Sequence, residues 1–270
     1  MRHLLAALIL ILAGPVRADD LLSAAVWEKV LSADIVILGE VHDNAAHHAG
    51  QGAVLARLEP SAIVFEMLSP EMAAQVENAS GEDVEALGKK IGWAEAGWPD
   101  ITIYAPVFEA LGAAAIVGAA LPRARVRAAF AEGAATVFGP RAARFGLDRA
   151  LPDAEQAARE AMQFDAHCQA MPRTLMGGMV EAQRLRDAAL SAATLEAYET
   201  HGAPVVVIAG HGHARRDWGM PALLALAAPD LRVFSLGFVE APGEQNDPRF
   251  DATVVMDPAP RGDPCAAFGN

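Results

Sequence analysis

Residues 34–51 read DIVILGEVHDNAAHHAGQ, and they join an unbroken apolar run to a group of acidic residues and histidines. The run at 35–38 has no polar residue at alternate positions, which is typical of a strand covered by helices on both faces. Asp43 or Asn44 is suited to cap a helix that follows. This stretch therefore predicts a β-strand that leads through a polar turn into an α-helix.

Three further apolar runs have the same character, a further pair of runs is expected to complete the sheet, and helical patterns lie between them. The runs occupy residues 62–66, 114–118, 204–210, 232–238 and 252–256. The helical patterns cover residues 45–58, 104–111, 125–130 and a long stretch at about 154–200. This alternation predicts an α/β fold with a mostly parallel central sheet flanked by helices, and the long stretch predicts a helical insertion or subdomain. We expect residues 19–270 to form one such domain.

The N-terminus has the order of a secretory signal peptide. A basic start is followed by an apolar run at 4–13 and then by small residues at a cleavage position. The run is too short to span a bilayer, and the alternative is a hydrophobic N-terminal helix of the mature fold. No cysteine follows the run, so the sequence contains no lipid-attachment site there. We expect residues 1–18 to be removed and the mature chain, which has no transmembrane segment in its sequence, to be periplasmic.

The charge balance limits the expected partners. The chain has 34 acidic residues against 21 lysines and arginines, a formal net charge of −13 at pH 7. Because an acidic surface repels nucleic acid and anionic lipid, neither is an expected partner.

The two cysteines, Cys168 and Cys265, could form a disulfide in an oxidising compartment. The sequence does not show whether their Cα atoms come close enough for a bond. Neither cysteine has a second one nearby, so a zinc site built on thiolates is not expected.

Polar side chains follow three of the predicted strands at the carboxyl end. Glu40 and His42 follow the first run, Glu66 ends the second, and His211 and His213 follow the run at 204–210. Ligands of open α/β sheets bind outside the carboxyl ends of the strands, so these side chains should converge if the strands are neighbours. Carboxylates and imidazoles can hold a divalent metal, or can act as the acid and base of hydrolysis.

Several of these side chains also have simpler roles open to them. Glu40 could instead accept backbone N–H groups at the start of the following helix. His47 and His48 fall on the first turn of that helix, and position alone does not show whether they face a site. The glycines beside His211 and His213 favour a ligand more strongly, because glycine allows close approach to the backbone.

The motifs resemble those of the ChaN-like haem-binding uptake family within the Tiki/TraB superfamily. That superfamily is marked by two Gly-x-x-His motifs and a pair of glutamates, which correspond here to 39–42, 210–213, Glu40 and Glu66. ChaN-like members share further segments that this chain contains in the same order, namely His42-Asp43-Asn44, His47-His48, Gln51, Tyr104-Ala105-Pro106, His167-Cys168, Met171-Pro172, Gln183, Leu185-Arg186-Asp187 and Arg215-Arg216-Asp217. The resemblance covers nearly the whole mature chain.

The resemblance implies haem binding in iron acquisition, with outer-membrane uptake machinery as a partner and a homodimer that could enclose haem between subunits. An axial haem ligand is His, Tyr, Met or Cys. Tyr104 is the leading candidate, and His48, His167 and Met171 are further candidates. Tyr104 could instead pack with Trp98, and Met171 could be a core side chain. ChaN-like proteins are usually lipoproteins, and the missing cysteine departs from that pattern.

Three interpretations of the polar group follow. The primary hypothesis is a haem-binding protein of iron uptake. The alternative is a metal-dependent hydrolase of the esterase or peptidase type, with catalytic Glu40, His42, Glu66 and His213, and with zinc or manganese held by His42, Glu66, His211 and His213. The chain is an enzyme if the hydrolase hypothesis is correct, and the haem-binding hypothesis does not require an enzymatic activity. The third interpretation is a polar group with a structural role only.

Overall fold

The structure, a computed structural model, describes residues 21–79, 81–263 and 265–266. Its strands are Ile35–Glu40 (β1), Ala62–Phe65 (β2), Ala115–Gly118 (β3), Val205–Gly210 (β4), Val233–Val239 (β5) and Ala252–Val255 (β6). Its α-helices are Ala24–Ser32 (α1), Ala45–Leu58 (α2), Pro70–Glu77 (α3), Val84–Ile91 (α4), Trp93–Ala96 (α5), Ala105–Glu109 (α6), Arg123–Glu132 (α7), Ala134–Phe138 (α8), Asp153–Ala166 (α9), Met176–His201 (α10), His211–Ala214 (α11) and Met220–Ala227 (α12). Short 3-10 helices lie at Ile101–Tyr104, Ala142–Phe145, Arg173–Leu175 and Pro242–Glu244. The predicted signal peptide lies outside the described residues.

The six strands form one parallel sheet in the order β3-β2-β4-β1-β5-β6. The predicted α/β class, with a parallel central sheet flanked by helices, is confirmed. The predicted runs at 62–66, 114–118, 204–210, 232–238 and 252–256 each differ from the observed strand by at most one residue at either end, and the apolar run at 35–38 lies within β1. Because β4 comes late in the chain but pairs with both β1 and β2, residues far apart in sequence meet at the carboxyl edge of the sheet.

Both faces of the sheet are covered, which explains why its strands lack polar alternation. On β1, Val36 and Leu38 belong to a core shared with Trp27 of α1 and Leu55 of α2. The alternate residues of β1 pack on the opposite side, in a core shared with Leu185 of α10 and other side chains of α7, α8 and α12. Every residue of β1 and β4 is buried as a result.

The long segment predicted to be helical from about 154 to 200 forms α9 and α10. Helix α10 places many small side chains against the sheet, among them Ala188 and Ala192, which are buried. Small side chains let a helix approach a sheet closely, so this 26-residue helix spans one face of it. Among the residues that the structure describes, no helix has the length and apolar character needed to cross a membrane.

A disulfide joins Cys168, just after α9, to Cys265 in the C-terminal tail, with 5.3 Å between the Cα atoms. The bond that the sequence left open is therefore present in the structure. The tail is held a second time by Arg261, whose guanidinium donates to Asp43 and Glu240 at 2.6–2.7 Å. The tail thus connects the turn after β1 to the end of α9.

Candidate functional site

Neighbouring strands bring four of the predicted side chains together. β1 lies beside β4, which places Glu40 opposite Gly210, and β2 lies on the other side of β4, where Glu66 accepts the Gly210 N–H at 2.8 Å. His42 Nδ1 lies 2.7 Å from Glu40 Oε1, and His42 Nε2 lies 3.7 Å from Glu66 Oε2. His213 Nε2 lies 3.1 Å from Glu66 Oε1. Two glutamates and two histidines therefore form one group, called here the Glu–His group.

The group has a fifth member, Asp187 of α10, which the sequence analysis did not single out as a site residue. Asp187 Oδ1 accepts a hydrogen bond from His213 Nδ1 at 2.6 Å, and the side chain is buried. Asp187 lies on the buried face of α10 together with Val180, Arg184 and Ser191. An acidic residue on the buried face of a helix is a signal that could have identified it, because a buried carboxylate requires a partner.

Glu40 is buried and accepts several hydrogen bonds. Its Oε1 accepts from the Tyr104 hydroxyl at 2.6 Å and from His42 at 2.7 Å. Its Oε2 accepts from Gln51 Nε2 at 2.7 Å and lies 3.4 Å from His48 Nδ1. Burial alone would raise the pKa of Glu40, but the hydrogen bonds and charges of His42 and His48 outweigh burial and hold this pKa well below its usual range. Glu40 is therefore ionised at neutral pH.

Tyr104 and His48 lie in the interior behind the Glu–His group. Their rings stack with centroids 3.6 Å apart, both side chains are fully buried, and Trp93 covers Tyr104 edge-on. Burial, followed by the charge of Glu40, raises the pKa of Tyr104 well above its usual value. The structure thus gives the leading predicted haem ligand neither an open face nor an accessible phenolate, and His48 is enclosed with it.

A cleft of about 1030 Å³ lies over this edge of the sheet, between α3, α7 and α10. Its apolar lining includes Met72, Trp98, Phe130 and Met179. The His42 side chain is 30% exposed, lines the cleft and packs against the Trp98 indole, with ring centroids 5.0 Å apart. Another cavity, of about 810 Å³, opens at the amino ends of β2 and β3 and contains none of the side chains described above.

Positive and negative charges alternate along the Glu–His group. Burial would lower the pKa of His213, but the charges of Glu66 and Asp187 outweigh it and raise the value to about 10. Burial would raise the pKa of Glu66, but the charge and hydrogen bond of His213 lower it to about 2. Burial would also lower the pKa of His42, but the hydrogen bond to Glu40 and the charges of Glu66 and Glu40 together raise it. For Asp187 burial prevails and raises the pKa, since the buried Oδ2 has no partner among the described residues.

The predicted metal set of His42, Glu66, His211 and His213 does not assemble, because His211 is turned away. Its Nε2 donates to the Phe238 carbonyl at 2.6 Å, toward β5. His211 and His213 are two residues apart on one helical turn, which separates their directions by roughly 200°. Within the described part of the chain, no three His, Cys, Asp or Glu side chains are placed to hold a metal ion together.

The remaining predicted haem ligands, His167 and Met171, lie in the turn between α9 and α10, beside the disulfide at Cys168. Both side chains are half-buried, and neither lines the cleft at His42. The four predicted haem ligands are therefore divided between the interior and this turn. His167 Nδ1 donates to the Gln163 carbonyl at 2.7 Å, so its other ring nitrogen is the one able to accept.

The comparison with family models identifies one family for this chain. A family described as haem-binding uptake, Tiki superfamily, ChaN matches residues 26–224. Among solved structures, ChaN of Campylobacter jejuni, described as showing cofacial haem binding, is 16% identical, with coverage of 86% of this chain and 90% of that chain and a TM-score of 0.62. No curated protein sequence matches.

Two other solved structures match with lower TM-scores. The type III effector HopBA1 is 13% identical over 83% of this chain and 88% of its own, with a TM-score of 0.44. The erythromycin esterase EreC is 12% identical over 87% of this chain and 79% of its own, also with a TM-score of 0.44. Structural likeness at such identities concerns the fold alone. The family match supports haem binding and does not favour the metal-dependent hydrolase.

Proposed function

Because the chain belongs to the ChaN family of haem-binding uptake proteins, we propose that it binds haem in the cleft beside His42. We also propose that it serves iron or haem acquisition in the periplasm, with outer-membrane uptake machinery as a partner. The family match supports the first proposal. The signal-peptide pattern of residues 1–18 supports secretion.

The orientation of His42 carries the haem proposal. Its Nδ1 donates to the ionised Glu40 carboxylate, so its Nε2 is the ring nitrogen left for a ligand in the cleft. Histidines that ligate metals commonly donate their other ring N–H to a carboxylate, which fixes the ring and increases its basicity. Haem iron is commonly held by one such imidazole, and His42 would supply it once its Nε2 proton is lost.

The walls of the cleft fit a flat apolar macrocycle. At about 1030 Å³ the cleft is as large as the upper end of the usual range for ligand pockets. Trp98 presents an indole beside His42, and Met72, Phe130 and Met179 add apolar surface. Bound haem would supply the iron, while this chain would supply the imidazole, the apolar contacts and the exclusion of water.

A second copy of this chain is the partner that we propose at the open side of the cleft. The Campylobacter jejuni relative is described as binding haem cofacially, and by analogy two copies of this chain would place two haem groups face to face. His167 is the alternative iron ligand, because its Nδ1 is already held by the Gln163 carbonyl and its side chain is half-exposed. Tyr104 and His48 are not proposed as ligands, since both are enclosed.

Titration with hemin, followed by the Soret band, tests the haem proposal. We expect a saturable change with the wild-type protein and a much weaker one with His42→Ala, because the iron would lose its imidazole. His201→Ala, which removes an exposed histidine at the end of α10, is the matched control and should bind hemin as the wild type does.

The possible outcomes separate the two iron ligands. Loss of the Soret change in His167→Ala, with full retention in His42→Ala, would move the ligand to the turn between α9 and α10. A wild-type protein without any saturable Soret change would refute haem binding. Circular dichroism of each variant shows whether the fold is retained.

A further inference from the structure

Four arginines line one cleft without forming an ion pair, whereas nine arginines elsewhere in the described part of the chain each form one. Nine arginines of the described residues form ion pairs: Arg141, Arg144, Arg159, Arg184, Arg215, Arg216, Arg232, Arg249 and Arg261. The four that line the cleft beside His42, namely Arg123, Arg125, Arg127 and Arg186, form no ion pair with any described residue. In a chain with a net charge of −13, such a set of unpaired cations points to an anionic ligand.

Arg186 is the most constrained member of this set. Its Nη2 donates to Gln183 Oε1 at 2.6 Å, but its Nε is buried and has no hydrogen-bond partner among the described residues. Arg184, two residues earlier in the same helix, has a guanidinium with many more partners, because it donates to Glu181 and to three backbone carbonyls. A buried N–H without an acceptor is costly, so Arg186 lacks an acceptor that a ligand in the cleft would supply.

The carboxylates of the cleft do not neutralise these arginines. Glu66 is occupied by His213 and by the Gly210 N–H. Glu71 is exposed and accepts from the Ser69 hydroxyl at 2.7 Å. These carboxylates therefore leave Arg186 and the arginines of α7 without an ion pair, although Arg123 and Arg125 each donate to one backbone carbonyl, those of Ala96 and Val137. The apolar side around Trp98 is not suited to anionic groups.

We propose that Arg186 and the arginines of α7 bind the two propionate groups of haem, and so determine how the macrocycle is oriented in the cleft. This inference rests on the haem binding proposed above. Haem has an apolar edge and an edge with two carboxylates, and the guanidinium fork matches a carboxylate with two parallel hydrogen bonds. The apolar edge then packs toward Trp98, and the carboxylate edge lies along α7 and Arg186.

The experiment compares hemin with hemin dimethyl ester, in which both propionates are neutral. Hydrogen bonds to charged groups correspond to about a ten- to hundredfold change in affinity. The wild type should therefore bind the ester about ten- to hundredfold more weakly than hemin. Arg186→Gln should weaken hemin binding by a similar factor and leave ester binding unchanged. Arg144→Gln, which removes an ion-paired arginine that does not line the cleft, should alter neither affinity.

A second variant guards against misfolding of Arg186→Gln. Arg127 is exposed, so Arg127→Gln should keep the fold and still reduce the preference for hemin over the ester severalfold. Equal binding of hemin and ester by the wild type would overturn the propionate proposal while haem binding itself stands. Absence of a saturable Soret change with either compound would overturn both proposals.

Discussion

Glu66→Gln tests whether the charge of Glu66 stabilises the fold. Glutamine keeps the shape of the side chain but removes its negative charge. The variant leaves His213, which lies 3.1 Å from Glu66, with Asp187 as its remaining carboxylate. Removal of one partner from a buried ion pair is typically strongly destabilising, because the other charge stays buried without compensation.

The pKa of Glu66 gives the magnitude. It falls from 4.5 to about 2 in the folded protein, and each unit corresponds to about 1.4 kcal/mol, so ionised Glu66 stabilises the fold by about 3 kcal/mol. Because the folded pKa is depressed, this stabilisation is complete above pH 4.5 and is lost as the pH falls through about 2. The variant should therefore be about 3 kcal/mol less stable than the wild type at pH 7, and the difference should shrink between pH 4.5 and pH 2.

Urea denaturation followed by tryptophan fluorescence at pH 7 and at pH 3 measures both quantities. The matched control is Glu82→Gln, which removes the exposed carboxylate paired with Lys90 and should cost at most about 1 kcal/mol at pH 7. A Glu66→Gln variant that equals this control at pH 7 would show that the charge of Glu66 is not stabilising. A large difference that persists unchanged at pH 3 would assign the effect to packing.

Two further predictions concern the disulfide and a helix contact. Replacement of Cys168 and Cys265 by serine removes the cross-link between residues 97 positions apart and should lower the free energy of unfolding by up to about 5 kcal/mol, which thermal or urea denaturation measures against the oxidised wild type. Equal stability of the oxidised and reduced wild type would contradict it. Gly52→Ala would place a Cβ 2.4 Å from the Pro106 carbonyl oxygen, and should cost about 1–3 kcal/mol. Gly177→Ala, with 3.4 Å of clearance, is its control, and equal stability of the two variants would contradict the steric account.

The strands could be predicted because their sequence signal is local. A strand that packs helices on both faces needs an apolar side chain at every position, and runs such as 35–38 and 205–209 are apolar throughout. The order of the strands in the sheet could not be predicted in the same way. It depends on β4 entering between β1 and β2, which no single segment of sequence specifies.

The convergence of Glu40, His42, Glu66 and His213 followed from their positions at strand ends, given that the strands are neighbours. His211 shows the limit of that reasoning. Its position in the chain is as suitable as that of His213, but the short helix after β4 directs the two rings to opposite sides. The direction of a side chain within one turn of helix decides whether that side chain joins the Glu–His group. The distance in sequence from a strand end does not predict this direction.

The burial of individual polar side chains was the property that the sequence predicted least well. Tyr104 has the residue type of a haem ligand, but its hydroxyl donates to Glu40 in the interior. Asp187 and Arg186 are adjacent in α10 and have opposite roles, because one faces His213 and the other lines the cleft. Only the packing of α10 against the sheet separates these roles.

A haem cleft has no direct need for two buried glutamates, and their place in the structure suggests why this one contains them. Glu40 accepts a hydrogen bond from Nδ1 of His42 and thereby leaves Nε2 as the ring nitrogen for a ligand. Glu66 lies 3.7 Å from that Nε2 and is held in place by His213 and Gly210. The alternating charges therefore fix one imidazole at the wall of the cleft. On the haem proposal, the glutamates act by positioning the iron ligand, and His42→Ala should abolish tight binding while the buried charges behind it remain paired.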